Sequence, residues 1–415
     1  MIVKTTKTRH GASLQLTNVQ TRHGASLQLT PWRVSTTNKC TDAFIQRVST
    51  TSFDFKFLNL FVRPYTAILI VPTGVGAAIG GYAGDALPVA KAFAQVCDRL
   101  ITHPNVLNGA ILYWNLSNTF YVEGYGLDKF AAGWWGLRSV HQNRIGLVLD
   151  QAIEPELRYR HLQAADAARA TLGLSLTDYV ITDAPLNVEL RQATSGASWG
   201  TIGNPDSLLR AAEVLIKRAG AEAIAVVARF PDTLDEQIDQ NYRHGKGVDP
   251  IAGAEAVISH LVVRTFQIPC AHSPAFLPPS LDPNLSPRSA AEELGYTFLP
   301  SVLVGLSRAP QFITGTSDKL SDFGDIWANQ IDAAIVPATA CGSSALLSLS
   351  HSRRCQIITV EENQTQVRVR PQPLGIKSIQ VNSYLEAVGV LVALKAGINP
   401  SALSPNISPL RSLTI

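Results

Sequence analysis

Residues 66–81 read TAILIVPTGVGAAIGG, and residues 333–344 read AAIVPATACGSS. In each, a short aliphatic run meets a proline, then a threonine and a string of small residues. An apolar run bounded by turn residues marks a strand buried on both faces, the kind found in parallel sheets. The same punctuation recurs outward from both stretches. The predicted strands are Thr66–Val71, Arg99–Thr102, Thr119–Glu123, Ile145–Asp150, Tyr179–Asp183, Ala223–Arg229, Phe298–Val304, Ala333–Val336 and Gln356–Val360. Helical patterns fall between them at Pro88–Cys97, Glu154–Thr171, Asp206–Arg218, Ala252–His260 and Ser383–Ala396, the last stopped by Gly397 and Pro400. This alternation predicts an α/β protein with Rossmann-like topology, mostly parallel sheets flanked by helices and arranged in two lobes.

The expected organisation is a low-complexity leader at 1–58, an α/β lobe at 59–268, a Pro-rich connection at 269–290, and a second lobe or a continuation of the sheet at 291–415. The leader repeats TRHGASLQLT at Thr8–Thr17 and Thr21–Thr30, and RVSTT at Arg33–Thr37 and Arg47–Thr51. Two copies of each unit are too few for a solenoid, so the leader is expected to be disordered, with the ordered protein beginning near Phe55–Tyr65. It holds eight Lys/Arg against Asp42 and Asp54, whereas the whole chain is only +3. The folded part is therefore slightly acidic, and a nucleic-acid partner, which requires a basic face, is not expected.

The chain of 415 residues is 46% hydrophobic and 16% charged, which excludes global disorder. Five cysteines with no C-x-x-C pair argue for a reducing compartment and against a disulfide framework or a cysteine zinc site. The uncharged interval between Arg63 and Asp85 approaches a membrane span in length, but Pro72 and its glycines break it. No membrane partner is expected, and the protein is read as soluble and cytoplasmic.

Polar residues gather just after the strands, where open α/β sheets bind ligands. The glycine loop supplies Thr73, Gly74 and Gly76, whose backbone N–H groups can approach a phosphate or carboxylate. Its G-x-G-x-x-x-G spacing is not the dinucleotide fingerprint, and close packing is the competing explanation of these glycines. His103 and Asn105 follow the second strand, Glu123 the third and Asp150 the fourth. Asp183 follows the fifth, while Thr339, Glu361 and Asn363 end the last two. Imidazole and carboxylate suit proton transfer near neutral pH, so His103 and Asp183 are the expected catalytic pair. The other nine form the expected substrate shell.

Cys341 opens a helix, where the dipole favours a thiolate, yet small neighbours also suit plain packing. His244 and Arg308 sit in loops fit to meet an anion. His260 and His272 flank Pro269-Cys270-Ala271 with no spacing rule selecting either. No metal motif is present, and neither a metal nor a cofactor is assigned. Trp134-Trp135 marks a core stack or an interface, which leaves room for a homo-oligomer.

The strings VPTGVGAAIGGYAGDALPVAKAFAQV at 71–96, LITHPNVLNGA at 100–110, YVEGYGLDKFAAG at 121–133, VLDQAIEPELRYRHLQAADAARATLGL at 148–174, YVITDAPLNVELR at 179–191 and ISHLVVRTFQIPCAH at 258–272 resemble the cyanobacterial and plastid proteins grouped as domain of unknown function 3326. The resemblance runs from about Tyr65 to the C-terminus and leaves out the leader. It implies a soluble protein of a photosynthetic cell and carries over no catalytic residue. The leading expectation is an enzyme acting on a small anionic metabolite at the carboxyl edge of a parallel sheet. The alternative is a non-catalytic ligand-binding or assembly protein.

Overall fold

The computed structural model describes residues 7–8, 11–12, 63–108, 116–231, 241–290, 293, 298–315 and 324–413. The chain divides into two units, Met1–Val62 and Arg63–Ile415. In the first, Lys7–Thr8 pairs antiparallel with Gly11–Ala12, and the disordered-leader expectation otherwise falls outside the described residues. All that follows concerns the second unit.

Two parallel sheets build it. The first has six strands in the order Ser378–Val381, Gln356–Val360, Ile331–Pro337, Thr66–Leu69, Arg99–Thr102 and Thr119–Tyr121. The second has four, in the order Cys270–Ala275, Ala223–Arg229, Ile145–Leu149 and Leu176–Ile181. Thr66–Leu69, Ile145–Leu149 and most of Ala223–Arg229 are buried on both faces, which is why they read as unbroken apolar runs. The predicted α/β class and parallel sheets are observed.

Within 291–415, the strands Ile331–Pro337, Gln356–Val360 and Ser378–Val381 continue the sheet begun at Thr66–Leu69, one of the two arrangements expected for that segment. The four strands of the second sheet all lie in sequence between the two halves of the first. Residues 270–275, expected inside a Pro-rich connection, form an edge strand paired parallel with Ala223–Arg229. Pro274 is tolerated there because an edge strand need not donate on its outer side.

One element is corrected outright. Phe298–Val304, expected as a strand, lies in the helix Leu299–Ser307, with Pro300 in its first turn. Seven of its nine residues are buried, so its sequence carries no amphipathic period. An apolar run alone does not separate a buried helix from a buried strand. The helix bridges the sheets. It packs on Ala223–Arg229 and Cys270–Ala275, while a Cβ on Gly305 would lie 2.5 Å from the ring of Tyr121 in the first sheet.

Glycines in the left-handed region close the helices Pro155–Leu172 and Pro205–Ala219, at Gly173 (φ 68°) and Gly220 (φ 67°). Gly397 (φ 74°) does the same after Tyr384–Lys395, as expected from the sequence.

Candidate functional site

A cavity of about 1050 Å³ opens at the carboxyl ends of strands from both sheets. Its wall takes Thr73, His103, Asn105 and Glu123 from the first sheet's strand ends, and His272 and Pro274 from the second sheet. Glu255, Ser259 and His260 line it from the helix Ala252–Phe266.

Glu123 caps the helix Gly124–Ala131. Its Oε2 accepts from the N–H groups of Tyr125 (2.8 Å) and Gly126 (3.2 Å). A side-chain oxygen at this position satisfies amides that the helix leaves unpaired. The other oxygen, Oε1, lies 2.9 Å from His260 Nε2. Glycine at 124 makes room for that contact, since a Cβ there would sit 3.1 Å from the same nitrogen. Burial pulls the His260 imidazolium down, but the hydrogen bond and charge of Glu123, joined by Asp128, hold its pKa above the ordinary value overall. Asp128, also on the wall, accepts from the Ala345 amide at 2.9 Å, and burial pushes its carboxyl up.

A second histidine and carboxylate face the same space. His272 Nδ1 lies 3.1 Å from Ser259 Oγ, and His272 Nε2 lies 3.7 Å from Glu255 Oε2. Glu255 and Ser259 are one helical turn apart, which puts both on the face that meets the strand carrying His272. Farther along the wall, Arg243 is clamped by Glu293 through Nε (2.6 Å) and Nη2 (3.1 Å), and it donates to the Ser280 carbonyl.

Four of the eleven expected catalytic and substrate-binding residues thus meet at the cavity, Thr73, His103, Asn105 and Glu123, together with His260 and His272, which no spacing rule selected. His103 Nε2 accepts from the Val71 amide at 3.0 Å, and burial pulls its pKa down to about 4. Asn105 donates to the Gly80 carbonyl at 2.6 Å and so braces the glycine loop from below.

The others do not reach the cavity wall, and the structure gives each a different task. Gly74 and Gly76 adopt φ of 69° and 64° and are packed against neighbours: a Cβ would lie 2.7 Å from Ser198 Oγ at Gly74 and 2.9 Å from the Gly247 carbonyl at Gly76. At these two positions the loop is closely packed, as the competing explanation of its glycines expects. Asp150 is fully buried, and its carboxylate accepts from the amides of Ala152, Leu186 and Arg229 at 3.0–3.1 Å. It fills the point where the second sheet reverses its strand order. Asp183, expected as the partner of His103, stands on an exposed surface in a two-point pair with Arg210 (2.7 and 2.9 Å). Hydrogen bonds from Arg210 and Ser207 hold its carboxyl well below the usual range.

Thr339 bonds Thr365 at 2.8 Å. Glu361 pairs with Arg370. Asn363 grips both backbone atoms of Ile79 and the hydroxyl of Tyr384. Burial pushes the Cys341 thiol up to about 11, the reverse of an activated nucleophile. His244 pairs with Asp282. Trp135 is buried against Phe312, whereas Trp134 is exposed beneath Lys129. Among the described residues no three His, Cys, Asp or Glu side chains come together in a group able to hold a metal ion.

The protein is therefore of the class of two-sheet α/β proteins with a ligand-sized cavity at the strand ends, a default position for a small-molecule site. Residues 66–404 match the family model described as "Protein of unknown function (DUF3326)", and the chain belongs to that family. An "Uncharacterized lipoprotein" of Synechococcus sp. (strain ATCC 27144 / PCC 6301 / SAUG 1402/1) is 61% identical over 343 residues, covering 83% of this chain and 94% of that protein. That name points to membrane anchoring and overturns the expected cytoplasmic location. Among the described residues no helix is long and apolar enough to cross a membrane. A crystal structure of the LacI family transcriptional regulator CCPA from Weissella paramesenteroides with bound glucose is 13% identical and covers 61% of this chain and 91% of that one, with a TM-score of 0.14. A likeness that slight carries no argument.

Proposed function

We propose that the cavity is the active site of an enzyme acting on a small polar molecule, with His260 and Glu123 as its acid–base pair. The observation that carries this reading is the 2.9 Å contact between them. A buried carboxylate at a strand end of one sheet holds an imidazole from a helix beside the other, on the wall of a ligand-sized cavity. An imidazolium whose pKa is raised above its ordinary value holds its proton to higher pH than a free ring does, which suits it to serve as a general acid. The carboxylate orients the ring and stabilises its charge.

The lining does not favour the anionic substrate expected from the glycine loop. Glu123, Asp128, Asp249, Glu255 and Glu293 are all on the wall. Arg243, the lining's Lys/Arg side chain among the described residues, is engaged by Glu293. A phosphate or carboxylate would meet like charge without a spare cation. The substrate class that fits is an uncharged or amine-bearing molecule rich in hydroxyl or carbonyl groups. The relative's name adds a membrane-anchored setting for this chemistry.

The test is native mass spectrometry of the gently purified full chain beside a denatured sample. A co-purified neutral or basic small molecule, retained by the wild type and altered in occupancy in Glu123→Gln, is the expected result. A chain that comes out empty but attached to another polypeptide would overturn the enzyme reading in favour of an assembly role.

A further inference from the structure

His103 is the ring in this cavity whose hydrogen bonding fixes where its proton sits. Its Nε2 accepts from the Val71 N–H at 3.0 Å. A backbone amide can only donate, so this nitrogen must carry a lone pair. A neutral imidazole with a bare Nε2 holds its proton on Nδ1. That nitrogen has no partner among the described residues, and the half-buried ring lines the cavity. The backbone leaves little freedom here. His103 is the extended residue (φ −117°, ψ 168°) ahead of Pro104, at the cap of the short helix Pro104–Leu107, and a residue before proline is held to such angles.

We propose that His103 donates its Nδ1–H to an oxygen of the molecule bound in the cavity and stays a neutral imidazole throughout. This rests on the cavity being the ligand site, and it narrows the ligand to one that presents a carbonyl or hydroxyl oxygen. A neutral imidazole N–H is a weak acid, suited to polarising a carbonyl and not to exchanging its proton at each turnover. His103 and the His260–Glu123 pair thereby divide the work: one holds an oxygen, the other moves a proton. Burial supports the assignment, since a ring with a pKa of about 4 stays neutral across the physiological range.

The experiment uses the full-length chain labelled with 15N-histidine, with His103 assigned by its loss in His103→Gln. The long-range 1H–15N spectrum should show an unprotonated Nε2 and a protonated Nδ1 that do not change between about pH 5 and pH 8. Adding acetamide, a neutral carbonyl probe, should shift the His103 Nδ1–H progressively and leave Nε2 in place, whereas ammonium chloride should not. A proton on Nε2, or titration near neutral pH, would overturn the proposal. So would acetamide shifts at the wall histidines His260 and His272 with none at His103, an outcome that leaves the cavity as a ligand site. Acetamide shifts at none of these residues would remove the cavity reading together with the proposal. Should His103→Gln fail to fold, the ring is assigned by elimination from single substitutions of the other eight histidines, and a wild-type proton on Nε2 still overturns the proposal.

Discussion

Glu123 and His260 meet at 2.9 Å although one ends a strand of the first sheet and the other lies on a helix packed beside the second. The imidazole pKa is held above its ordinary value in the folded protein. The pair's contribution to stability is therefore complete below about pH 6.5, the unfolded value, and is lost as pH rises through the folded one. Glu123→Gln keeps an oxygen to cap the helix but removes the charge. It should lower the His260 pKa in an NMR titration and flatten the alkaline side of the stability profile. With the ring partly open to solvent, the change in stability should stay within about 1 kcal/mol. An unchanged His260 titration in Glu123→Gln would show that the two groups are not coupled.

Asp150 should prove structural. Its carboxylate satisfies three backbone amides in a fully buried position, and each donor left unpaired costs about 1–3 kcal/mol. Asp150→Ala should lower stability by about 3 kcal/mol or more, seen as a reduced midpoint in urea. Asp150→Asn should also destabilise, because its amide would turn a donor toward a donor. A stable Asp150→Ala protein with weakened ligand retention would instead restore the substrate-binding role.

Asp183 should be dispensable to the site. It lies on the surface with Arg210 and outside the cavity wall. Asp183→Asn should leave both the unfolding midpoint and any co-purified ligand unchanged in native mass spectrometry, whereas Glu123→Gln alters the latter. Loss of ligand in Asp183→Asn alone would reverse the assignment.

The sequence was most readable where side chains alone determine the element. Arg99–Thr102, Ala223–Arg229 and Gln356–Val360 were found to the residue, because each is a short apolar run with an abrupt polar or proline end. Leu299–Ser307 was misread because burial on every side erases the helical period. Cys270–Ala275 was missed because Pro269 and Pro274 mask an edge strand. At the site, His103 and Glu123 were visible as strand ends, a local property. His260, His272 and Glu255 were not, since their meaning lies in partners brought from distant segments. The spacing of Glu255, Ser259 and His260 along one helix face was the available signal. Asp150 and Asp183 looked alike in sequence; only the fold gives one three buried amides and the other an exposed arginine.

Gly76 tests whether the glycine loop packs or binds. Its φ of 64° and the 2.9 Å approach to the Gly247 carbonyl leave no place for a Cβ. A left-handed alanine alone costs about 1–2 kcal/mol, and the clash is with backbone, which cannot swing away. Gly76→Ala should lower the thermal midpoint of the ligand-free protein. If that stability were unchanged and only phosphate binding were lost, the loop would be an anion cradle after all.

The thiols offer the last test. Burial pushes Cys341 up to about 11, Cys97 and Cys355 up to about 12, and Cys270 well above its ordinary value. All four are buried and free. A thiol reacts through its thiolate, so at pH 7.5 each should be both inaccessible and protonated. Titration of the native chain with a disulfide reagent should therefore register at most one of the five cysteines, Cys40, and all five after unfolding in guanidinium. Mapping the modified peptide is decisive. Rapid labelling of Cys341 in the native state would mean that the turn ahead of the helix Ser344–Ser350 opens, and the nucleophile reading of that stretch would return.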